Sequence, residues 1–256
     1  MAEAHMTRLL YLPLAQGGEL ATRVSLDLAT QERAATLKGF RLQSYLAGRA
    51  LLALALELWY GQPSLPALQL GEHGRPAFVD PSLPDFSLSH SGDALLLLLG
   101  AGPLGVDIEQ HRPRRNLPKL MEAVLGEAER EWLAAQDEAS RLASFYQLWT
   151  LREAIVKTSG RGIAGFSRLA INPFHTEVKT CEVTGGTLLG GVLSHDSLPD
   201  DSLADGSLPG YSLALCLPKS DAGWPESLCC DGQGRLTPFT VTAPLRYRLI
   251  ENIQFQ

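Results

Sequence analysis

Cysteine is scarce in this chain, and none of it is arranged for metal. Cys181, Cys216 and the adjacent Cys229 and Cys230 form no Cys-x-x-Cys pair and have no histidine cluster to complete a zinc site. They are read as reduced thiols. Basic charge is also short: 22 Lys and Arg against 28 Asp and Glu leave a formal charge of −6. That argues against broad binding to nucleic acid, which needs a basic surface to neutralise phosphates, and leaves room only for a local basic pocket. Long apolar runs are missing. Ala50–Leu58 falls short of the roughly 20 residues that span a bilayer, and Ala94–Val106 is broken by Gly and Pro. Met1–Leu20 has no basic segment leading into an apolar run, and Gly17, Gly18 and Glu19 interrupt it, so no export signal is expected. No heptad pattern argues for a coiled-coil dimer. A cytoplasmic monomer that neither binds nucleic acid nor enters a membrane is the expectation.

With 256 residues, 45% of them hydrophobic, the chain can bury one large core or two modest ones. Leu26–Tyr60 reads as helical, with Thr30 as cap and Leu46, Ala50, Leu51, Leu54 and Leu58 as an apolar stripe. Leu68–Leu70 can form a short strand before a loop at Gly71–Pro76. Phe86–Gly92, Ala94–Leu99 and the segment around Asp107 predict a three-strand antiparallel meander. Helices are expected over Leu120–Ala135 and Ser140–Thr158, the second stopped by Gly160. Leu169–Asn172, Glu177–Val183 and Tyr211–Leu217 read as a second sheet. Between them Ser194–Gly210, rich in Ser and Leu, reads as an exposed excursion, and the residues from Pro218 as an appendage.

Carboxylates carry the functional signal. In Gly105-Val106-Asp107-Ile108-Glu109 the alternation of an extended chain sends Val106 and Ile108 one way and Asp107 and Glu109 the other. Glu153 in Trp149-Thr150-Leu151-Arg152-Glu153-Ala154-Ile155-Val156-Lys157 supplies a third acid, with Lys157 one helical turn on. Taken singly, the first pair could be the wet face of a strand and the second an ordinary ion pair. Together they offer hard oxygen donors of the kind Mg²⁺ takes while keeping places for water and phosphate. A phosphate-handling enzyme is the first hypothesis. A Ser-His nucleophile at Ser89-His90 is set aside, because strand neighbours point to opposite faces and no Gly-x-Ser-x-Gly elbow is present.

The order Gly74-Arg75-Pro76, Ser87-Leu88-Ser89-His90, Gly105-Val106-Asp107-Ile108-Glu109, Trp149-x-x-Arg152-Glu153-x-x-x-Lys157 and Gly160-Arg161-Gly162 resembles the 4′-phosphopantetheinyl transferases. More narrowly, it is similar to the larger single-chain class that serves surfactin-type synthetases, over about Leu26 to Leu217. The resemblance implies an α+β fold of two similar α/β lobes related by a pseudo-twofold, at 1–104 and 105–217, with 218–256 an extension of unknown role. It implies coenzyme A in the cleft between the lobes, Mg²⁺ as metal, and transfer of the phosphopantetheine arm to a serine of an apo acyl carrier protein or peptidyl carrier domain, with release of 3′,5′-ADP.

By the same resemblance, Asp107, Glu109 and Glu153 match the metal-binding acids, and Glu153, Lys157 and Asp107 the catalytic groups. Arg33, Arg49, Gly74, Arg75, Ser89, His90 and Lys157 match positions that hold coenzyme A. Arg33 and Arg49 could equally be surface arginines lying over apolar neighbours, and Arg161 could face substrate or carrier. The chain departs from some relatives in placing Ser44 where they have arginine and Arg152 where they have lysine. Arg112, Arg114, Arg115 and Lys119 are candidates, on charge alone, for docking an acidic carrier. Two other readings use the same acids: a Mg²⁺-dependent hydrolase of nucleotide pyrophosphates, which hands the phosphoryl group to water, and a noncatalytic carrier-binding module.

Overall fold

The computed structural model describes residues 6–71, 73–113, 115–180, 183, 186–194, 210–218 and 223–251. Cys181, Arg114 and residues 195–209 of the Ser-Leu-rich stretch lie outside the described residues. Four layers stack in the order helix, sheet, sheet, helix. In the first half, β1 (Arg8–Pro13) leads through the short α1 (Gly17–Ala21) and α2 (Leu28–Ala35) to the long α3 (Gly39–Tyr60). A hairpin of β2 (Leu68–Leu70) and β3 (Pro76–Phe78) precedes β4 (Asp85–Ser91) and β5 (Ala94–Gly100). The second half runs β6 (Gly105–Gln110), α4 (Leu117–Val124), α5 (Glu127–Ala134), α6 (Glu138–Ser159), β7 (Leu169–Asn172), β8 (Glu177–Thr180), β9 (Thr187–Leu193) and β10 (Tyr211–Leu217). The extension adds β11 (Glu226–Cys230), β12 (Leu236–Pro238) and β13 (Thr242–Glu251).

The first sheet is ordered β12-β11-β1-β5-β4 and the second β6-β10-β9-β13-β8-β7. The connectivity repeats. In each half a strand is followed by a 22-residue helix and two antiparallel strands, and the last strand lies between the other two: β1-β5-β4 with α3, and β6-β10-β9 with α6.

Period-two patterning explains the layers. Leu95, Leu97 and Leu99 of β5 pack toward α3 with Leu10, Leu12, Ala50, Leu51 and Leu56, while Ala94, Leu96 and Leu98 face the second sheet. A strand buried on both faces reads as a continuous apolar run, which is why Ala94–Leu99 shows no alternation. β10 divides the same way: Leu213, Leu215 and Leu217 enter the core between the sheets, and Ala214 and Cys216 the core under α6. The three described cysteines are buried and none is in a disulfide among the described residues, where no helix is long and apolar enough to cross a membrane.

Several expectations are corrected. The helix at Leu26–Tyr60 is two helices, since Lys38 is extended between α2 and α3, and Thr30 lies buried inside α2 with Asp27 at its N-terminal boundary. Leu120–Ala135 is likewise divided, with extended backbone at Leu125 and Gly126. The meander stops at two strands. β4 and β5 pair antiparallel, but β6 begins the second sheet, because its ladder partner is β10. The extension is built into both sheets: β11 pairs in parallel with β1, and β13 lies between β9 and β8. Neither β1 nor β9 is predicted from the sequence, and the apolar, β-prone end of the tail is expected only as an appendage. Gly160 does end α6, at φ 76°, in the left-handed region.

α6 rests on the start of β6 with no room for a side chain. A Cβ on Gly105 would meet the Ala154 carbonyl oxygen at 1.9 Å and Thr158 Oγ1 at 2.3 Å. Since the obstacle is helix backbone, Gly105→Ala should lower stability by about 3 kcal/mol, measured as a shift of the urea midpoint at unchanged slope.

Candidate active site

Two elements bring the predicted acids together, and a third borders them. On β6, Val106 and Ile108 enter the core between the sheets, and Asp107 and Glu109 take the other face, as the alternation requires. α6 presents Glu153 and Lys157 one turn apart, and β4 contributes Ser89 and His90. All six line one cleft of about 320 Å³, with Leu88 and Trp149.

The hydrogen bonds there are specific. Lys157 Nζ donates to Asp107 Oδ1 at 2.7 Å and to Ser89 Oγ at 2.8 Å, and Ser89 Oγ donates to Asp107 Oδ1 at 2.7 Å. Asp107 is 4% exposed, and its Oδ2 is buried with no hydrogen-bond partner among the described residues. Ser91 Oγ donates to Glu109 Oε2 at 2.8 Å. Burial, then Asp107 and Glu109, raise the Glu153 carboxyl to about 7 against the opposing pull of Lys157. Burial and the Lys157 ammonium lower His90 below the ordinary imidazole value, with Asp107 opposing them. Phe40 meets the His90 ring edge-on at 5.6 Å.

Among the described residues no three His, Cys, Asp or Glu side chains stand close enough to cage a metal ion. The donor chemistry nevertheless fits a hard divalent cation. Three carboxylates share the cleft, and the buried Asp107 Oδ2 is an oxygen donor that the described protein leaves unused.

A second pocket of about 380 Å³ adjoins the acidic cleft and shares Leu88, Ser89 and His90 with it. Arg33, Arg41 and Arg49 line it, with Ser44 and Tyr45. The Arg49 guanidinium lies 5.1 Å over the Tyr45 ring, and its Nε is buried without a hydrogen-bond partner among the described residues. Arg41 and Tyr45 went unrecognised in the sequence, although Arg41, Tyr45 and Arg49 recur every fourth residue along one face of α3. The chain is acidic overall, yet this pocket concentrates cations suited to phosphate.

Arg75 is committed elsewhere. Its guanidinium grips Asp85 at 2.9 and 2.7 Å and donates to the carbonyls of Lys157, Phe86 and Leu104. It ties the loop before β3 to the end of α6 and the approach to β6. Gly74 and Arg75 line a third cavity, of about 240 Å³, on which Lys157, Gly160 and Gly162 also border. Arg152, beside Glu153 in sequence, turns away from the cleft. At 1% exposure it pairs with the fully buried Glu129, whose carboxylate also accepts from the Gly126 amide, and so fixes α5 against α6. Arg161 is exposed at the C-terminal end of α6.

A Glu153 carboxyl raised to about 7 implies a stability cost. Its folded-state value lies above the unfolded one, so its contribution is complete below the ordinary carboxylate range and is lost as pH rises toward 7. In metal-free buffer, Glu153→Gln should match the parent near pH 5 and exceed it in urea midpoint at pH 8. A constant gap across that range would refute the assignment.

A family model of the 4′-phosphopantetheinyl transferase superfamily matches residues 103–216, the stretch that carries all three acids and Lys157. The chain is 44% identical over 124 residues to 4′-phosphopantetheinyl transferase AcpT of Salmonella typhimurium (strain LT2), covering 48% of this chain and 62% of that relative. It is 40% identical over 145 residues to AcpT of Escherichia coli (strain K12), covering 56% of this chain and 71% of the relative. It is 32% identical over 95 residues to 4′-phosphopantetheinyl transferase Sfp of Bacillus subtilis (strain 168), 36% of this chain and 41% of Sfp. The match thus spans somewhat under two thirds of the Salmonella protein. With 71% of the Escherichia coli relative covered at 40% identity, the chain belongs to the 4′-phosphopantetheinyl transferase superfamily.

Proposed function

We propose that this protein transfers the 4′-phosphopantetheine arm of coenzyme A to a serine hydroxyl of an apo acyl or peptidyl carrier protein, releasing 3′,5′-ADP. The observation that carries the reading is the wall of Leu88, Ser89 and His90 common to the arginine pocket and the acidic cleft. Coenzyme A has the matching order of groups: a phosphorylated nucleoside, a pyrophosphate, then the uncharged arm. Arg33, Arg41 and Arg49 take the nucleotide end, and His90, kept neutral at pH 7, donates an N–H to a phosphate oxygen. The arm leaves past Lys157 toward the cavity bordered by Gly74.

Asp107, Glu109 and Glu153 would hold Mg²⁺, which when bound supplies Lewis-acid stabilisation of charge on the breaking phosphoanhydride. Lys157 exchanges its bonds to Asp107 and Ser89 for pyrophosphate oxygens and holds positive charge there during transfer. A serine hydroxyl attacks only as its proton departs, and Glu153, a carboxylate of the same cleft, accepts it. Arg112, Arg115 and Lys119 are exposed between β6 and the first turn of α4, and an acidic carrier would dock on them. The reading treats 1–104 and 105–217 as pseudo-twofold lobes, supported by the repeated connectivity, and 218–256 as an extension. It places the protein in the cytoplasm as a monomer.

Incubation with coenzyme A, Mg²⁺ and an apo-carrier, followed by intact mass spectrometry, should show the carrier gaining one phosphopantetheine group. Coenzyme A should persist when the carrier is omitted. Its hydrolysis in that control would favour the pyrophosphatase reading instead. Glu153→Gln and Lys157→Ala should slow transfer by roughly 10²–10⁴-fold with unchanged circular dichroism, and a Glu153→Gln variant as fast as its parent would overturn that residue's role.

A further inference from the structure

β4 and β6 are edge strands of different sheets lying side by side. No backbone ladder joins them. Instead the Val106, Ile108 and Gln110 amides of β6 donate to the hydroxyls of Ser87, Ser89 and Ser91 at 3.1, 3.4 and 3.1 Å. Serine at every second residue of one strand thus satisfies every second amide of the other.

Direction follows from the chemistry of the hydroxyl, which has one proton to give. Because each lone-pair side is engaged by a β6 amide, that proton is turned toward β6 side chains: Ser89 gives it to Asp107 and Ser91 to Glu109. Among the described residues Ser87 makes no such bond to a carboxylate. We propose that Ser91 is a positioning residue that aims the Glu109 carboxylate into the acidic cleft, so that the seam between the sheets also sets the orientation of the metal-binding acids. The inference rests on the transferase reading above. It goes beyond that reading by assigning a role to a residue that touches neither substrate nor metal.

The test uses Mn²⁺ as a spectroscopic probe, titrated into the full-length protein with coenzyme A held constant and coenzyme A alone as blank, and read by electron paramagnetic resonance. Ser91→Ala should weaken Mn²⁺ binding by about tenfold or more, the usual loss when a hydrogen-bond partner of a metal ligand is removed. Ser91→Thr, which keeps the hydroxyl, should restore it. Ser87→Ala removes the same kind of amide contact and should reduce stability without weakening Mn²⁺ binding. In transfer assays Ser91→Ala should need more Mg²⁺ for half-maximal rate and recover kcat at saturation. The proposal is overturned if Ser91→Ala binds Mn²⁺ like the parent, or if Ser87→Ala weakens binding equally, which would make the serines a seam and nothing more. Should the parent itself bind no Mn²⁺ with coenzyme A and modify no carrier, the functional reading fails first and takes this inference with it.

Discussion

The contact between β4 and β6 organises the molecule. Each is the last strand of its sheet, with a row of backbone groups that must find partners. A direct ladder would draw the strands to about 4.8 Å and merge the two sheets. Interposed serine hydroxyls satisfy the β6 amides while keeping the sheets separate. The same seam delivers β4 residues Ser89 and His90 to the cleft holding the β6 acids, and Arg75 reinforces it from one end through Asp85 and the Lys157 and Leu104 carbonyls.

Around that seam the protein concentrates charge it would avoid in a core chosen for stability alone. Three carboxylates share one cleft with Lys157, which pairs with Asp107, and Asp107 keeps an oxygen buried and without a partner among the described residues. Burial and like charge hold the Glu153 proton to near neutrality, an arrangement that disfavours the ionised folded protein. The buried Arg152–Glu129 pair is also desolvated, with Glu129 Oε1 and Arg152 Nε lacking hydrogen-bond partners among the described residues, but it lies between helices, where it positions α5. Adjacent residues of one helix thus serve two purposes, because 100° of rotation points them to different surroundings.

The chemistry was legible in the sequence because it is local. Alternation put Asp107 and Glu109 on one face of a strand, helical spacing put Glu153 and Lys157 on one face of a helix, and the order of motifs identified the family. Less legible was anything requiring knowledge of which strands meet. The period-two signal in Ser87-Leu88-Ser89-His90-Ser91 was visible, but a serine on a strand ordinarily faces water, and nothing local says that another sheet's edge lies opposite. Arg41 and Tyr45 were passed over for a similar reason: an arginine on a helix is ordinarily solvated, and only the packing of α3 over β4 turns this one into a pocket wall. Arg75, read from its motif, proved committed to Asp85, a partner ten residues away that no pattern marks.

What the sequence determined by itself is therefore which reactive groups each strongly patterned segment can present, since φ/ψ preference and side-chain period are properties of short segments. Tertiary structure alone decided how the elements associate. β6 joined β10 instead of completing a meander with β5, and the extension threaded a strand into each sheet, because backbone groups and apolar faces must be satisfied by partners distant in the chain. A strand carries its own pattern wherever it lies, but its neighbour is selected by the free energy of the whole assembly.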